Sequence, residues 1–156
     1  EHGGWSFKFE RGEEGDRFKL DETLQSDALL LGRVTYQGFA EAWPSRTGEF
    51  ADKFNSMPKF VVSTTLEDPE WNNTTVIKGN VAEEVAKLKQ RPGGSAQLVQ
   101  TLLEDDLIDE YRLMVFPIVL GSGKRLFRDT GKATTLKLVD SKTVGAGVLI
   151  LTYQAA

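Results

Sequence analysis

Asp27-Ala28-Leu29-Leu30-Leu31-Gly32-Arg33-Val34-Thr35-Tyr36-Gln37-Gly38-Phe39-Ala40-Glu41-Ala42-Trp43-Pro44 is the stretch on which the fold turns. Ala28 to Leu31 is a continuous apolar run, too short for a helix and suited to a strand buried on both faces, as parallel strands are. Gly32 ends it. After Arg33, the apolar residues Val34, Tyr36, Phe39, Ala40 and Trp43 recur at helical spacing until Pro44 stops the pattern. The unit is strand, Gly-Arg, helix. It sets free backbone N–H groups and a guanidinium at a helix N-terminus beside the carboxyl end of a strand, where open α/β sheets bind phosphates. Most such turns bind nothing, and an arginine there often only ties down a loop.

The chain has 156 residues, 40% of them hydrophobic and 27% charged, enough to bury one core, and one domain is expected. A formal net charge of -4 gives no basic excess for nucleic acid. There is no cysteine, and His2 is the only histidine, so disulfides, thiolate chemistry and a zinc site are not expected. No apolar run has the length of a membrane span and no signal-peptide pattern is present, which places the chain in the cytoplasm as an expectation.

Outward from the central stretch, Trp5, Phe7 and Phe9 alternate, giving either a short extended piece or, preferred, a loop anchored by Trp5. Residues 16–26 permit a helix. Residues 45–56 hold a short helix, and Met57 to Thr65 reads as a second buried strand ending in hydroxyls. Thr74 to Lys78 is a third strand. Asn80 and Glu83 form a capping-box pattern before a helix that Pro92 ends. Ser95 reads as the N-cap of a further helix carrying Leu98, Val99, Leu102 and Leu103. Two helices would then follow each other where a parallel sheet needs a strand between them. Arg112 to Pro117 is a strand. Residues 136–144 and 147–153 form a hairpin around Gly145-Ala146-Gly147. Gly121-Ser122-Gly123-Lys124 is not a phosphate loop, because Ile118 stands where its first glycine is required and Arg125 where Ser or Thr is required.

Two passages carry a resemblance. Leu30-Leu31-Gly32-Arg33-Val34-Thr35-Tyr36-Gln37-Gly38-Phe39 with Trp43-Pro44 looks like the matching stretch of the dihydrofolate-reductase-like proteins. Leu107-Ile108-Asp109-Glu110-Tyr111, followed by Phe116-Pro117-Ile118-Val119-Leu120-Gly121-Ser122-Gly123-Lys124-Arg125-Leu126-Phe127, resembles the branch related to the C-terminal reductase domain of the riboflavin-biosynthesis protein. The resemblance implies a three-layer α/β/α fold with a mixed, mainly parallel central sheet and a C-terminal antiparallel hairpin. Gly94-Ser95-Ala96-Gln97-Leu98 matches the head of a family helix, but the strand before it and the family's first strand are not found in the sequence. Both belong at the centre of the sheet, so the expectation is that residues near 93–94 and an N-terminal strand are missing from the sequence.

The resemblance further implies an NADPH-dependent reductase of a small heterocyclic or ribosylaminopyrimidine-type substrate, acting as a homodimer. Gly32, Arg33, Thr35, Ser63 and Thr64 would surround the 2′-phosphate end of NADPH, and Gly94, Ser95 and Ala96 would present N–H groups to the pyrophosphate. Tyr36, Pro117, Gly121 and Gly123 are the substrate candidates. No catalytic acid is identified. Two alternatives stay open: a non-catalytic nucleotide-binding or dimerising module of the same fold, and dihydrofolate reductase.

Overall fold

Leu29–Gly32 (β1) and Lys59–Val62 (β2) lie side by side and parallel in the computed structural model, with Leu29 beside Lys59 and Gly32 beside Val62. The structure describes residues 4–89, 95–96, 102, 105–123, 125–127 and 133–156. In chain order a 3-10 turn at Trp5–Lys8 precedes α1 (Gly12–Gln25), β1, α2 (Arg33–Ala42), α3 (Glu49–Ser56) and β2. Then come β3 (Thr74–Ile77), α4 (Val81–Lys89), β4 (Ser95–Ala96), β5 (Glu110–Val115), β6 (Leu136–Val144) and β7 (Val148–Ala155). The chain divides into two compact units, residues 20–107 and residues 1–19 with 108–156.

Residues 20–107 carry a parallel sheet in the order β3-β2-β1-β4. Ser95 pairs with Leu29 and Ala96 with Leu30. This corrects the expectation of a helix N-cap at Ser95 and supplies part of the strand that the sequence seemed to lack. Leu29 and Leu30 are buried, and the open side of β1 must find ladder partners, so strand pairing there overrides the capping propensity of serine. The suspected break near residues 92–94 lies outside the described residues.

In a parallel pair, registered residues share a face, so Leu29, Leu31, Lys59 and Val61 all point to one side of the sheet. Leu31 and Val61 are fully buried there with Tyr36, Phe54, Met57 and Trp71. The helical spacing of α2 turns Tyr36, Phe39 and Trp43 onto this face, and α3 meets them with Phe50 and Phe54. Ring centroids of Trp43 and Phe54 are 4.8 Å apart, those of Phe39 and Phe54 5.5 Å, and those of Phe54 and Trp71 5.7 Å.

A lysine sits in this apolar layer. Lys59 is 0% exposed, and its ammonium donates to the carbonyls of Asn55 (2.8 Å), Met57 (2.8 Å) and Asn72 (3.2 Å) while lying 4.3 Å from the centre of the Trp71 ring. Two of these carbonyls close the C-terminal end of α3, where cations are favoured. Asn55 extends the network: Trp71 Nε1 donates to its Oδ1 (2.9 Å), and its own Nδ2 donates to the Trp43 carbonyl (3.0 Å). The Trp71 N–H donates to the Tyr36 hydroxyl at 3.0 Å. Among the described residues no buried side-chain nitrogen or oxygen lacks a partner.

Residues 1–19 and 108–156 hold an antiparallel sheet in the order β5-β7-β6. The expected hairpin is present. One face buries Val144, Val148 and Ile150, with Phe9, Phe18, Met114 and Phe116 packed against them. Gly145 is at φ 52°, and a Cβ there would fall 2.1 Å from the Glu10 carbonyl oxygen, so the turn needs glycine to close on the N-terminal segment. Trp5 stacks edge-on against Phe116 at 5.1 Å while Phe7 is 90% exposed, which fits the anchored loop and not the alternating extended piece. Among the described residues the ladder therefore forms one parallel and one antiparallel sheet within the α/β class.

Burial pulls the Lys59 ammonium down from 10.5 to about 8. The folded chain thus releases this proton before the unfolded chain does, and between those two pH values stability rises with pH, by at most roughly 1.4 kcal/mol per unit. Lys59→Met strands three carbonyls and is expected to cost about 2–4 kcal/mol at pH 7. In urea unfolding, the stability advantage of wild type over Lys59→Met should be flat below pH 7 and widen between pH 8 and pH 10.

Candidate functional site

Strand order decides where a ligand can enter the parallel sheet. The chain leaves β1 for β2 on one side and returns to β4 on the other, so the carboxyl end of β1 is a topological switch point, the position at which open α/β sheets leave a crevice. Gly32 is the cap residue of α2, extended at φ -81° and ψ 157°, and no side chain caps the helix. The first-turn N–H groups are left for a ligand or water.

Arg33 opens α2 at this edge. It is exposed, and among the described residues no carboxylate pairs with it. Among the described residues its one side-chain bond runs from Nη1 to Gln37 Oε1, at 3.4 Å. A cation on the first turn opposes the helix dipole by a few tenths of a kcal/mol up to about 1 kcal/mol, a cost that an arriving anion reverses. Thr35, half-buried, stands on the same turn.

Register brings the second expected group alongside. Gly32 is level with Val62, so Arg33 and Ser63 leave adjacent strands together. Ser63 is buried, and its Oγ accepts the N–H groups of Thr65 (3.2 Å) and Leu66 (3.0 Å), folding residues 63–66 into a turn. That occupies its lone pairs, so in its long 3.5 Å contact with Thr65 Oγ1 the Ser63 hydroxyl is the donor. Thr64 is exposed beside it. The Ser63 N–H bonds the Ile77 carbonyl at 3.1 Å, which puts exposed Lys78 next along the edge. At strand spacing the backbones of Arg33 and Lys78 are about 10 Å apart. Lys78 escaped the sequence reading because it looked like an ordinary strand exit, and only the β2–β3 register reveals its place.

The other expected residues fall elsewhere. Ser95 and Ala96 are level with Leu29 and Leu30, two residues short of the edge that Gly32 reaches, and Gly94 lies outside the described residues. Tyr36 is 3% exposed and packs in the core of the parallel unit, with its hydroxyl accepting from the Trp71 N–H. Pro117, Gly121 and Gly123 belong to the other compact unit. Gly121 and Gly123 have φ of 76° and 137°, a conformation that favours glycine, and a Cβ on either meets nothing within 4 Å among the described residues.

Away from the edge, a groove of about 620 Å³ runs along α2, between Tyr36, Gln37, Ala40 and Glu41 and the segment carrying Leu66, Asp68, Glu70 and Trp71. Among the described residues its charged lining groups are the carboxylates of Glu41, Asp68 and Glu70. No group of three or more His, Cys, Asp or Glu residues is placed to hold a metal ion among the described residues. No helix among them is long and apolar enough to cross a membrane.

Residues 3–150 match the RibD C-terminal domain. YyaP, an uncharacterized protein of Bacillus subtilis (strain 168), is 34% identical over 140 residues, covering 83% of this chain and 74% of its own. A putative riboflavin biosynthesis protein from Shewanella sp. PV-4 has a similar structure, with a TM-score of 0.79 at 24% identity over 97% of this chain and 86% of that one. A pyrimidine reductase-like protein from Corynebacterium diphtheriae has a TM-score of 0.63 at 11% identity, over 92% and 82% of the two chains. These structural matches establish the dihydrofolate-reductase-like fold.

The turn at Ser63 gives a test of its two parts. Ser63→Ala removes the acceptor for two N–H groups and should lower stability by about 1–2 kcal/mol. Thr64→Ala, at an exposed position, should leave the thermal midpoint within a degree or so.

Proposed function

The chain belongs to the RibD C-terminal domain family, and from that premise we propose that it is an NADPH-dependent reductase of a small nitrogen heterocycle of the ribosylaminopyrimidine type. The observation that carries the reading is Arg33: an exposed guanidinium without a carboxylate partner among the described residues, on the uncapped first turn of α2, at the switch point of the sheet. Adjacent exposed Thr64 can donate its hydroxyl proton, Ser63 can turn its own from the long Thr65 contact, and Lys78 adds a second cation. That donor set suits a phosphate monoester, and a guanidinium fork binds one through two parallel bonds. NADPH, when bound, supplies the hydride.

The chain's own work in this reading is binding and orientation. Arg33 and Thr35 hold the 2′-phosphate from the β1 side, and Ser63 and Thr64 hold it from the β2 side. The pyrophosphate follows along the switch point, past the end of β4. The pyrimidine substrate class is supported by the fold shared with the pyrimidine reductase-like protein. Dimerisation is part of the proposal. The second face of the antiparallel sheet carries Leu113, Val115, Leu138, Leu149 and Leu151 without a charged residue at the registered positions, and Val115, Leu138 and Leu149 are 46%, 50% and 40% exposed. A two-fold copy could bury such a face against itself. Light scattering on the eluting chain should give twice 17.3 kDa, and Leu138→Glu with Leu149→Glu should give 17.3 kDa.

The cofactor reading is tested by titrating wild type and Arg33→Ala with NADPH and with NADH while following tryptophan fluorescence. Arg33→Ala should weaken NADPH by about 10- to 100-fold and NADH by less than about threefold, the difference being the charge-assisted bonds to one phosphate. Equal losses would refute the 2′-phosphate role. Consumption of NADPH with a panel of aminopyrimidines and pterins then separates a reductase from a non-catalytic module, and pterin turnover alone would favour dihydrofolate reductase.

A further inference from the structure

We propose that the groove between α2 and residues 66–71, which lies wholly within the parallel unit, is a docking site for an extended peptide in which apolar side chains alternate with lysine or arginine. This function is separate from the cofactor edge. The floor is apolar and the rim is acidic. Tyr36, Ala40, Pro44, Leu66 and Trp71 supply the apolar surface, and Glu41, Asp68 and Glu70 are exposed beside it. Among the described residues none of these three carboxylates has an ion-pair partner. Such a rim is complementary to lysine and arginine, whose long stems also lie well along apolar surface. One wall is fixed in advance. The Trp71 N–H donates to the Tyr36 hydroxyl at 3.0 Å and its Nε1 to Asn55 Oδ1 at 2.9 Å, so a partner has little of this surface to order.

The backbone of that wall is open as well. Residues 64–70 belong to no helix or strand. Among the described residues the main-chain groups of Glu67, Asp68 and Glu70 make no hydrogen bond within the chain. They are available to the main chain of an extended segment, in the manner of an exposed strand edge. The dimensions agree. From Tyr36 to Pro44 the groove follows the helix for about 12 Å, room for about four extended residues. In such a segment alternate side chains point to opposite sides, so every second residue meets the floor while those between reach the carboxylates. A small organic amine would answer the charge and leave the open main chain unused. A contact of this size suits a transient partner.

The test is a titration of the isotopically labelled chain with a capped pentapeptide, Leu-Lys-Leu-Lys-Leu, and with two twins, one carrying glutamate for each lysine and one serine for each leucine. The leucine–lysine peptide should give saturable amide shifts at 36–41 and 66–71, with affinity falling about tenfold from about 0.05 M to about 0.5 M salt. The glutamate twin should give none. The serine twin should bind at least about fivefold more weakly, because nothing enters the floor. Asp68→Lys combined with Glu70→Lys, both at exposed positions, should weaken the leucine–lysine peptide at least about tenfold and move the thermal midpoint by no more than about two degrees. Equal binding of the serine twin would reduce the groove to a counter-ion surface and overturn the proposal. Shifts centred on other segments, or no saturation by the leucine–lysine peptide, would overturn it too.

Discussion

A buried ammonium holds the parallel half of the molecule together. Lys59 joins the end of α3, the start of β2 and the Asn72 carbonyl through three hydrogen bonds, beneath the face of Trp71. Desolvation opposes a charge in that place, and the three carbonyls and the ring oppose the desolvation. The result is an ammonium lowered to about 8 that still carries its proton at neutral pH. Asn55 and Tyr36 tie the same tryptophan to Trp43 and to α2. The orientation of α2 is thereby settled by polar bonds with fixed geometry as well as by apolar contact, which alone would tolerate sliding.

That orientation is what the candidate site needs. α2 presents its uncapped first turn at the carboxyl end of β1, and the parallel register sets Ser63 and then Lys78 along the same edge. The chain is acidic overall, with a net charge of -4, yet this edge is cationic and the groove along α2 is acidic. Binding of a phosphate at such an edge would depend on local separation of charge and not on the sign of the whole molecule.

Much of the architecture was legible because its signals are local. The run Ala28–Leu31, the glycine and the helical spacing to Trp43 gave β1 and α2 to within a residue or two, and the Gly145-Ala146-Gly147 turn gave the hairpin. Asn80 was readable as a cap, and its Oδ1 accepts the Glu83 N–H at 3.3 Å. Ser95 misled because serine after glycine has strong capping chemistry, whereas its strand conformation comes from β1, more than sixty residues earlier in the chain. Lys59 was invisible for a similar reason. In Met57-Pro58-Lys59-Phe60 it reads as a charged strand margin, and its burial follows from carbonyls that α3 and the Asn72 segment deliver in three dimensions. At the candidate site, the place of Arg33 at the head of α2 was legible from the Gly-Arg step, while that of Lys78 required the β2–β3 register.

The central claim is that a phosphate monoester binds where α2 begins, across the ends of β1, β2 and β3. It is tested most directly by titrating the isotopically labelled chain with adenosine 2′,5′-bisphosphate and following backbone amide resonances. The account predicts saturable shifts concentrated at Gly32–Thr35, Ser63–Leu66 and Lys78–Gly79, with adenosine 5′-monophosphate giving far weaker ones. Shifts confined to other segments, or equal responses to the two nucleotides, would contradict it.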